Sequence, residues 1–171
     1  RHDDYFSPYF SRPSFLDNHD VNRFLWLVDG DVRKLKLAAL CHVTLPGPPI
    51  VYYGTEVGLS QERDVIQEHG HVLEEARAPM LWGDAQDADL RQYYRRLIRF
   101  RRAHPVLWRG RRRTVHVEPA AGTYAYACSA AEASGDETVL VALNAGDVER
   151  TFTAAGHRLS LAPWSGEIRV I

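Results

Sequence analysis

Asp17-Asn18-His19-Asp20 places an acid, an amide, an imidazole and a second acid directly behind the apolar pair Phe15-Leu16. An apolar run ending in such a cluster is the pattern of a buried strand delivering polar side chains to the mouth of a pocket. A carboxylate there can stabilise positive charge, and an imidazole N–H can donate to a ligand hydroxyl. The plainer reading is a strand end whose Asn18, His19 and Asp20 cap the next segment and bond to backbone.

Other groups are weaker. His69-Gly70-His71 beside Glu68 has metal-ligand residue types, but a polar glycine loop of this kind is expected to be solvated, and no metal is assigned. The ten arginines from Arg91 to Arg113 are expected to form the wet face of a helix, partly paired with acids. Trp26, close to the cluster, is the best stacking platform, whereas Trp82 and Trp108 are expected to pack in a core or interface. Glu56 is expected to make a structural hydrogen bond to a neighbouring loop.

These side chains need positioning elements. Pro13–Asp17 reads as a short buried strand. The spacing predicts a helix from Asp31 to Val43, capped by Asp31 or Asp29, with Leu35, Ala39 and Val43 on one face and Leu40 beside it. Pro46-Gly47-Pro48-Pro49 ends it, and Ile50-Val51-Tyr52-Tyr53 reads as a second strand closed by Gly54. Strand, helix, strand, both strands apolar throughout, implies a parallel sheet covered on both faces. Thr55–Asp89 is a long connection. Leu90–Ala103 is an amphipathic helix, with Leu90, Tyr93, Tyr94, Leu97 and Ile98 inward, closed by His104-Pro105. Beyond Gly110 six short segments, several alternating and separated by Ala-Gly, Ser-Gly-Asp and Asn-Ala-Gly-Asp turns, read as a small antiparallel sandwich. The expected fold class is α/β plus all-β, divided at 1–109 and 110–171.

Composition narrows the function classes. The chain has 171 residues, 45% of them hydrophobic, and a formal net charge of -1. A core is affordable in size, and no global charge favours nucleic acid or an acidic membrane surface. Neither partner is expected. Cys41 and Cys128 read as two free thiols in apolar surroundings. The sequence opens at Arg1 and its one methionine is Met80, which is expected of an excised or processed piece.

Phe15-Leu16-Asp17-Asn18-His19-Asp20 resembles the last short block of the α-amylase family of glycoside hydrolases (family 13). Pro46 to Gly58 resembles that family's eighth barrel strand and the turn after it. Arg77-Ala78-Pro79-Met80-Leu81-Trp82 is similar to a stretch found beyond that strand, and the arginine-rich helix and all-β tail resemble the last barrel helix and the C-terminal domain. The resemblance implies a partial (β/α)8 barrel, its last two βα units, followed by a β-sandwich. It further implies Asp20 as the carboxylate that stabilises the transition state, with His19, Asn18 and Arg23 as substrate-binding residues, Asn18 also orienting the turn and Arg23 lying near Asp20 to hold its orientation and keep it ionised. The family's Gly-x-Arg-x-Asp nucleophile block and its glutamate proton donor do not occur in this sequence, so the chain alone is expected to be inert. Implied partners are an α-glucan or oligosaccharide substrate and either the remainder of the barrel or a second copy, through exposed edges. No cofactor, calcium or chloride is assigned. The rival expectations are a non-catalytic amylase-like binding module and a trehalose synthase-like isomerase.

Overall fold

The computed structural model describes residues 11–68, 70–130 and 137–171. Residues 1–10, His69 and residues 131–136, which hold the Ser-Gly-Asp turn expected at Ser134–Asp136, lie outside the described residues.

The first half has the order strand, helix, strand, helix. Strand β1 (Ser14–Phe15) leads through the four-residue helix α1 (Phe24–Leu27) into α2 (Val32–Thr44) and then β2 (Pro49–Ile50). β1 and β2 pair in parallel, Ser14 opposite Pro49 and Phe15 opposite Ile50. Gly47 makes that approach possible, because a Cβ there would lie 1.8 Å from the Arg12 carbonyl oxygen. The strands are shorter than the apolar runs suggested, and they are not covered on both faces: Phe15 is 50% and Ile50 51% exposed. A two-strand pair offers each residue one neighbour at most, and these two side chains face away from the helices' core.

Helix α2 forms where the spacing predicted it. Asp31 is the cap, its carboxylate accepting from the Arg33 N–H at 2.9 Å. Leu35, Ala39, Leu40 and Val43 are all buried, and each leucine so buried contributes roughly 1.5–3 kcal/mol. The other end of α2 carries carbonyls with no partner inside the helix. Arg101 supplies one, reaching from the next long helix to donate to the carbonyls of Val43 (2.7 Å), Leu45 (2.6 Å), Gly47 (2.9 Å) and Pro46 (3.3 Å). Arg112 donates to the Thr44 carbonyl beside it. The expectation that this arginine run is a wet face therefore fails for Arg101 and Arg112; both close a helix end.

The connection after β2 is not featureless. It holds 3₁₀ turns at Thr55–Val57, Leu73–Arg77 and Gly83–Ala85, and a two-stranded hairpin of β3 (Ile66–Gln67) and β4 (Gly70–His71). Helix α3 (Ala88–Ala103) then begins at Asp87, whose carboxylate accepts from the Leu90 N–H at 2.8 Å. Leu90, Tyr94 and Leu97 are buried, whereas Ile98, expected inward, is 42% exposed. Trp82, expected in a core or interface, is 75% exposed. The short helix α4 (Val106–Arg109) leads into the all-β half.

Strands β5 (Arg111–Glu118), β6 (Thr123–Ser129), β7 (Thr138–Asn144), β8 (Arg150–Ala154), β9 (His157–Leu161) and β10 (Ser165–Val170) match the six segments read from the sequence. They form a four-stranded antiparallel sheet of order β10-β7-β6-β5 and a separate β8-β9 hairpin. Alternation assigns the faces. Tyr126, Cys128, Val139, Val141 and Leu143 join the core of α2 and α3, while Ala125, Leu140 and Ala142 pack with Ala154, Leu159 and Leu161 of the hairpin. β7 is thus covered on both sides. Asn144 ends it, its buried amide donating to the carbonyls of Val148, Leu161 and Ala162 and so tying hairpin to sheet. Both cysteines are free, and burial pushes both thiols up. No helix among the described residues is long and apolar enough to cross a membrane.

Two predictions follow from the ends of α2. Arg101→Ala strands several carbonyls at once and is expected to lower stability by about 1–3 kcal/mol, read from urea unfolding midpoints. At the other end, the side-chain hydrogen bond from Arg33 holds the Asp31 carboxyl at about 2, below its ordinary 3.8. A depressed folded-state value means the cap's contribution is present above pH 3.8 and is lost as pH falls through about 2. The Asp31 carboxyl ¹³C shift should titrate near 2, and in Arg33→Ala its midpoint should return towards 3.8.

Candidate active site

Asp17, at the end of the β1 segment, is buried at 2% exposure and is the anchor of the site. One carboxylate oxygen accepts from the Phe24 N–H at 2.9 Å, at the start of α1. The other accepts from the Thr55 hydroxyl at 2.7 Å, just past the second strand. Gly54 permits that second contact: it takes φ +88°, a left-handed conformation that turns the chain at once into the 3₁₀ segment carrying Thr55. One buried acid therefore locks together the two segments that follow the parallel strands, and the loop from Asn18 to Asn22 projects between its fixed ends.

That loop is shaped from within and held from the side. The Asn18 carbonyl oxygen Oδ1 accepts from the Asp20 N–H at 2.7 Å, an Asx-type turn. Asn22 donates to Asp64 Oδ1 (3.1 Å) and accepts from Gln61 (2.6 Å) and from the Val65 N–H (2.9 Å). Gln61 in turn accepts from the Arg23 N–H at 2.6 Å. The bonds from the Ile66 N–H and Asn22 hold the Asp64 carboxyl below the usual carboxylate range.

On this support, His19 and Asp20 face solvent, with side chains 61% and 55% exposed. His19 Nε2 lies 3.2 Å from Asp20 Oδ2. Arg77 approaches from the long connection, its Nη2 3.5 Å from Asp20 Oδ1 and its Nε donating to the His19 carbonyl at 3.1 Å. Tyr52 stands behind them, its ring centroid 6.5 Å from that of His19. Ion pairs this exposed contribute little to stability, so Asp20, His19 and Arg77 are open to an incoming ligand. The set offers a carboxylate, an imidazole and a guanidinium on one patch, with an aromatic ring at its back: acceptors and donors for hydroxyls, and negative charge for a developing cation.

Arg23 does not take the place expected of it. It is fully buried, and its Nη1 donates to the Tyr53 carbonyl at 2.6 Å. Its guanidinium carbon lies 4.2 Å from the Tyr52 ring centroid and 4.8 Å from that of Tyr53. The N–H bond to Gln61 fixes its backbone at the head of α1, and from there the side chain supports the tyrosines rather than Asp20. The cation beside Asp20 is Arg77. Glu56 also departs from expectation: its Oε2 is buried with no hydrogen-bond partner among the described residues. Nor do the described residues contain a group of three or more His, Cys, Asp or Glu side chains suited to a metal ion; His69 lies outside them.

Asp17, Thr55, Gln61 and Arg77 went unassigned in the sequence reading. Asp17 was in plain view, but only its partner across the parallel pair marks it as a clasp. Arg77 belonged to a noted stretch, yet no local spacing ties it to Asp20.

Comparison with known proteins identifies the family. Residues 7–99 match the model of the alpha-amylase catalytic domain, and the chain belongs to that family. It is 36% identical over 148 residues to Alpha-amylase 2 of Dictyoglomus thermophilum, covering 86% of this chain and 25% of that protein. It is 36% identical over 132 residues to a cyclomaltodextrinase of a Bacillus species, covering 77% of this chain and 21% of the relative. Among solved structures, the ligand-free cyclic alpha-maltosyl-(1→6)-maltose hydrolase of Arthrobacter globiformis superposes with a TM-score of 0.75 at 28% identity, over 93% of this chain and 34% of that one. The chain thus spans about a quarter or less of these two sequence relatives and a third of that structure. The overlap is consistent with part of a barrel.

Removing the clasp tests its role. Asp17→Ala leaves the Phe24 N–H and the Thr55 hydroxyl without their acceptor, at about 1–3 kcal/mol for each donor that stays buried. Thr55→Val strands one oxygen of the Asp17 carboxylate, at about 1–3 kcal/mol, and should cost less than Asp17→Ala, which strands two donors; chemical denaturation of the two variants gives the ranking.

Proposed function

We propose that this chain is the closing part of a retaining α-glucan-active enzyme, a hydrolase or transglycosylase. Residues 1–109 are read as the last two βα units of its catalytic barrel and 110–171 as its C-terminal β-sandwich domain. The observation that carries the reading is the exposed Asp20–His19 pair, displayed just past a parallel strand and flanked by Arg77.

In this reading Asp20 stabilises the positive charge that builds on the sugar in the transition state, where a fixed carboxylate does most for the rate. His19 donates a ring N–H to sugar hydroxyls. The Asn18 amide, with its oxygen held in the turn, presents its N–H groups to the same unit. Arg77, with Nη2 3.5 Å from Asp20 Oδ1, holds that carboxylate in orientation. Arg23 serves by supporting Tyr52 and Tyr53, and sugar contact is not assigned to it. Retaining chemistry also needs a nucleophile and an acid/base about 5–5.5 Å apart, and the chain has no Gly-x-Arg-x-Asp block to supply the first. The exposed Phe15, Leu27 and Ile50 are the surfaces through which it joins the rest of its barrel or a second copy.

The decisive experiment is Asp20→Asn in the complete enzyme that carries this segment. Loss of one transition-state stabiliser is expected to lower kcat on maltodextrin by about 10²–10³-fold, with KM moved far less. A kcat unchanged within threefold would refute the assignment. The 171-residue chain by itself should hydrolyse no maltodextrin, and sedimentation at micromolar concentration should show association rather than a lone monomer.

A further inference from the structure

Arg77 reaches the site from the 3₁₀ turn Leu73–Arg77, far from Asp20 in sequence. Its Nη2 lies 3.5 Å from Asp20 Oδ1, and the two side chains are 40% and 55% exposed. That separation exceeds the usual hydrogen-bond length of about 2.7–3.2 Å. A pair so long and so wet contributes little by itself, and the backbone under Arg77 must set where the guanidinium stands. Two ties hold that backbone. Within the connection, Glu75 of the same turn accepts from Arg63 Nε at 3.0 Å, and Ala76 is buried. From outside it, the Tyr53 hydroxyl donates to the Ala78 carbonyl at 2.9 Å. Ala78 directly follows Arg77 at the end of the turn, where carbonyls lack partners inside it. Pro79 favours an extended backbone at Ala78, which takes φ -48° and ψ 148°.

Tyr53 is itself anchored. Its carbonyl accepts from Arg23 Nη1 at 2.6 Å, and its ring stands edge-on to Tyr52 at a centroid distance of 4.6 Å. The guanidinium carbon of Arg23 lies 4.8 Å from the same ring. Arg23 is fully buried and begins where the Asn18–Asn22 loop ends. The contacts therefore close into a circuit. The loop runs into Arg23, Arg23 carries Tyr53, and Tyr53 holds Ala78; Arg77 then returns to the loop through the His19 carbonyl at 3.1 Å. We propose that the Tyr53 hydroxyl is a positioning group for Arg77, acting on the reaction through where it sets that guanidinium against Asp20 and His19. Its effect on rate rests on the role proposed above for Asp20; its hold on Arg77 rests on the contacts alone.

The test is a double-mutant cycle in the complete enzyme that carries this segment, with kcat and KM on maltodextrin measured for Tyr53→Phe, Arg77→Ala and the two together. Tyr53→Phe removes one oxygen and keeps the ring against Tyr52 and Arg23. It is expected to lower kcat about three- to tenfold, the rate equivalent of one net hydrogen bond, with KM moved less than about twofold. In the Arg77→Ala background the same substitution should lower kcat by less than about 1.5-fold, because the group it positions is gone. A loss of equal size in both backgrounds would overturn the proposal, since it would mark a brace of the loop with no bearing on Arg77. So would a Tyr53→Phe enzyme with the kcat of the wild type. Either result leaves the Asp20 assignment standing when Asp20→Asn shows its own loss. A normal kcat for Asp20→Asn, with Tyr53 and Arg77 still coupled, would sink the Asp20 assignment alone.

Discussion

A single buried carboxylate, Asp17, holds the functional end of this chain together. Its two oxygens reach the start of α1 and the turn after β2, so the register of the parallel pair passes directly to the loops above it. A parallel pair only two residues long has few ladder bonds with which to set that geometry. Side chains at the strand ends do it instead: Asp17 between the units, Asn22 and Gln61 across to the next loop, Arg23 under the tyrosines. The exposed pair of His19 and Asp20 can therefore be polar, solvated and unstabilising in itself, because its backbone is set by neighbours of which Asp17 and Arg23 are buried and Asn22 and Gln61 half-buried.

A similar division of labour appears lower in the molecule. Arg101 and Arg112 close the carbonyl end of α2 from two different elements, one helical and one β. His42 of the same helix bonds the Ser14 carbonyl at 2.8 Å, and Thr44 pairs with the Tyr126 hydroxyl. α2 thus touches the strand that leads to the site, the helix that follows and the all-β half. Its inward leucines and valine share one apolar core with β6 and β7.

The sequence was most legible where periodicity and caps agree. Helix α2, with its Asp31 cap and its buried Leu35, Ala39, Leu40 and Val43, was readable because the 3.6-residue pattern and the Pro46–Pro49 stop mark both ends. The six tail segments were readable from alternation and turn residues, although their division into a four-stranded sheet and a hairpin was not. The Asn18-His19-Asp20 cluster stood out by composition, and His19 and Asp20 are exposed in the structure. What sequence could not disclose was pairing across long separations. Arg23 near Asp20 in sequence is remote from it in contacts, and Arg77, far away in sequence, is its neighbour. Strand lengths, Ile98 and Trp82 were misjudged for a related reason: an apolar residue reports what it would bury against, not whether that surface is at hand.

The continuity of the core across Gly110 bears on how such a protein can change over time. Strand β7 is packed on one side by helices and on the other by the β8-β9 hairpin, so its sequence answers to two masters. A tail of this kind resists exchange as a modular cassette, since any replacement must present matching side chains to α2 and α3. Drift in the tail and drift in the helices are thereby bound to one another, and recombination breakpoints are best tolerated not at the visible change from helix to strand but outside the shared packing altogether.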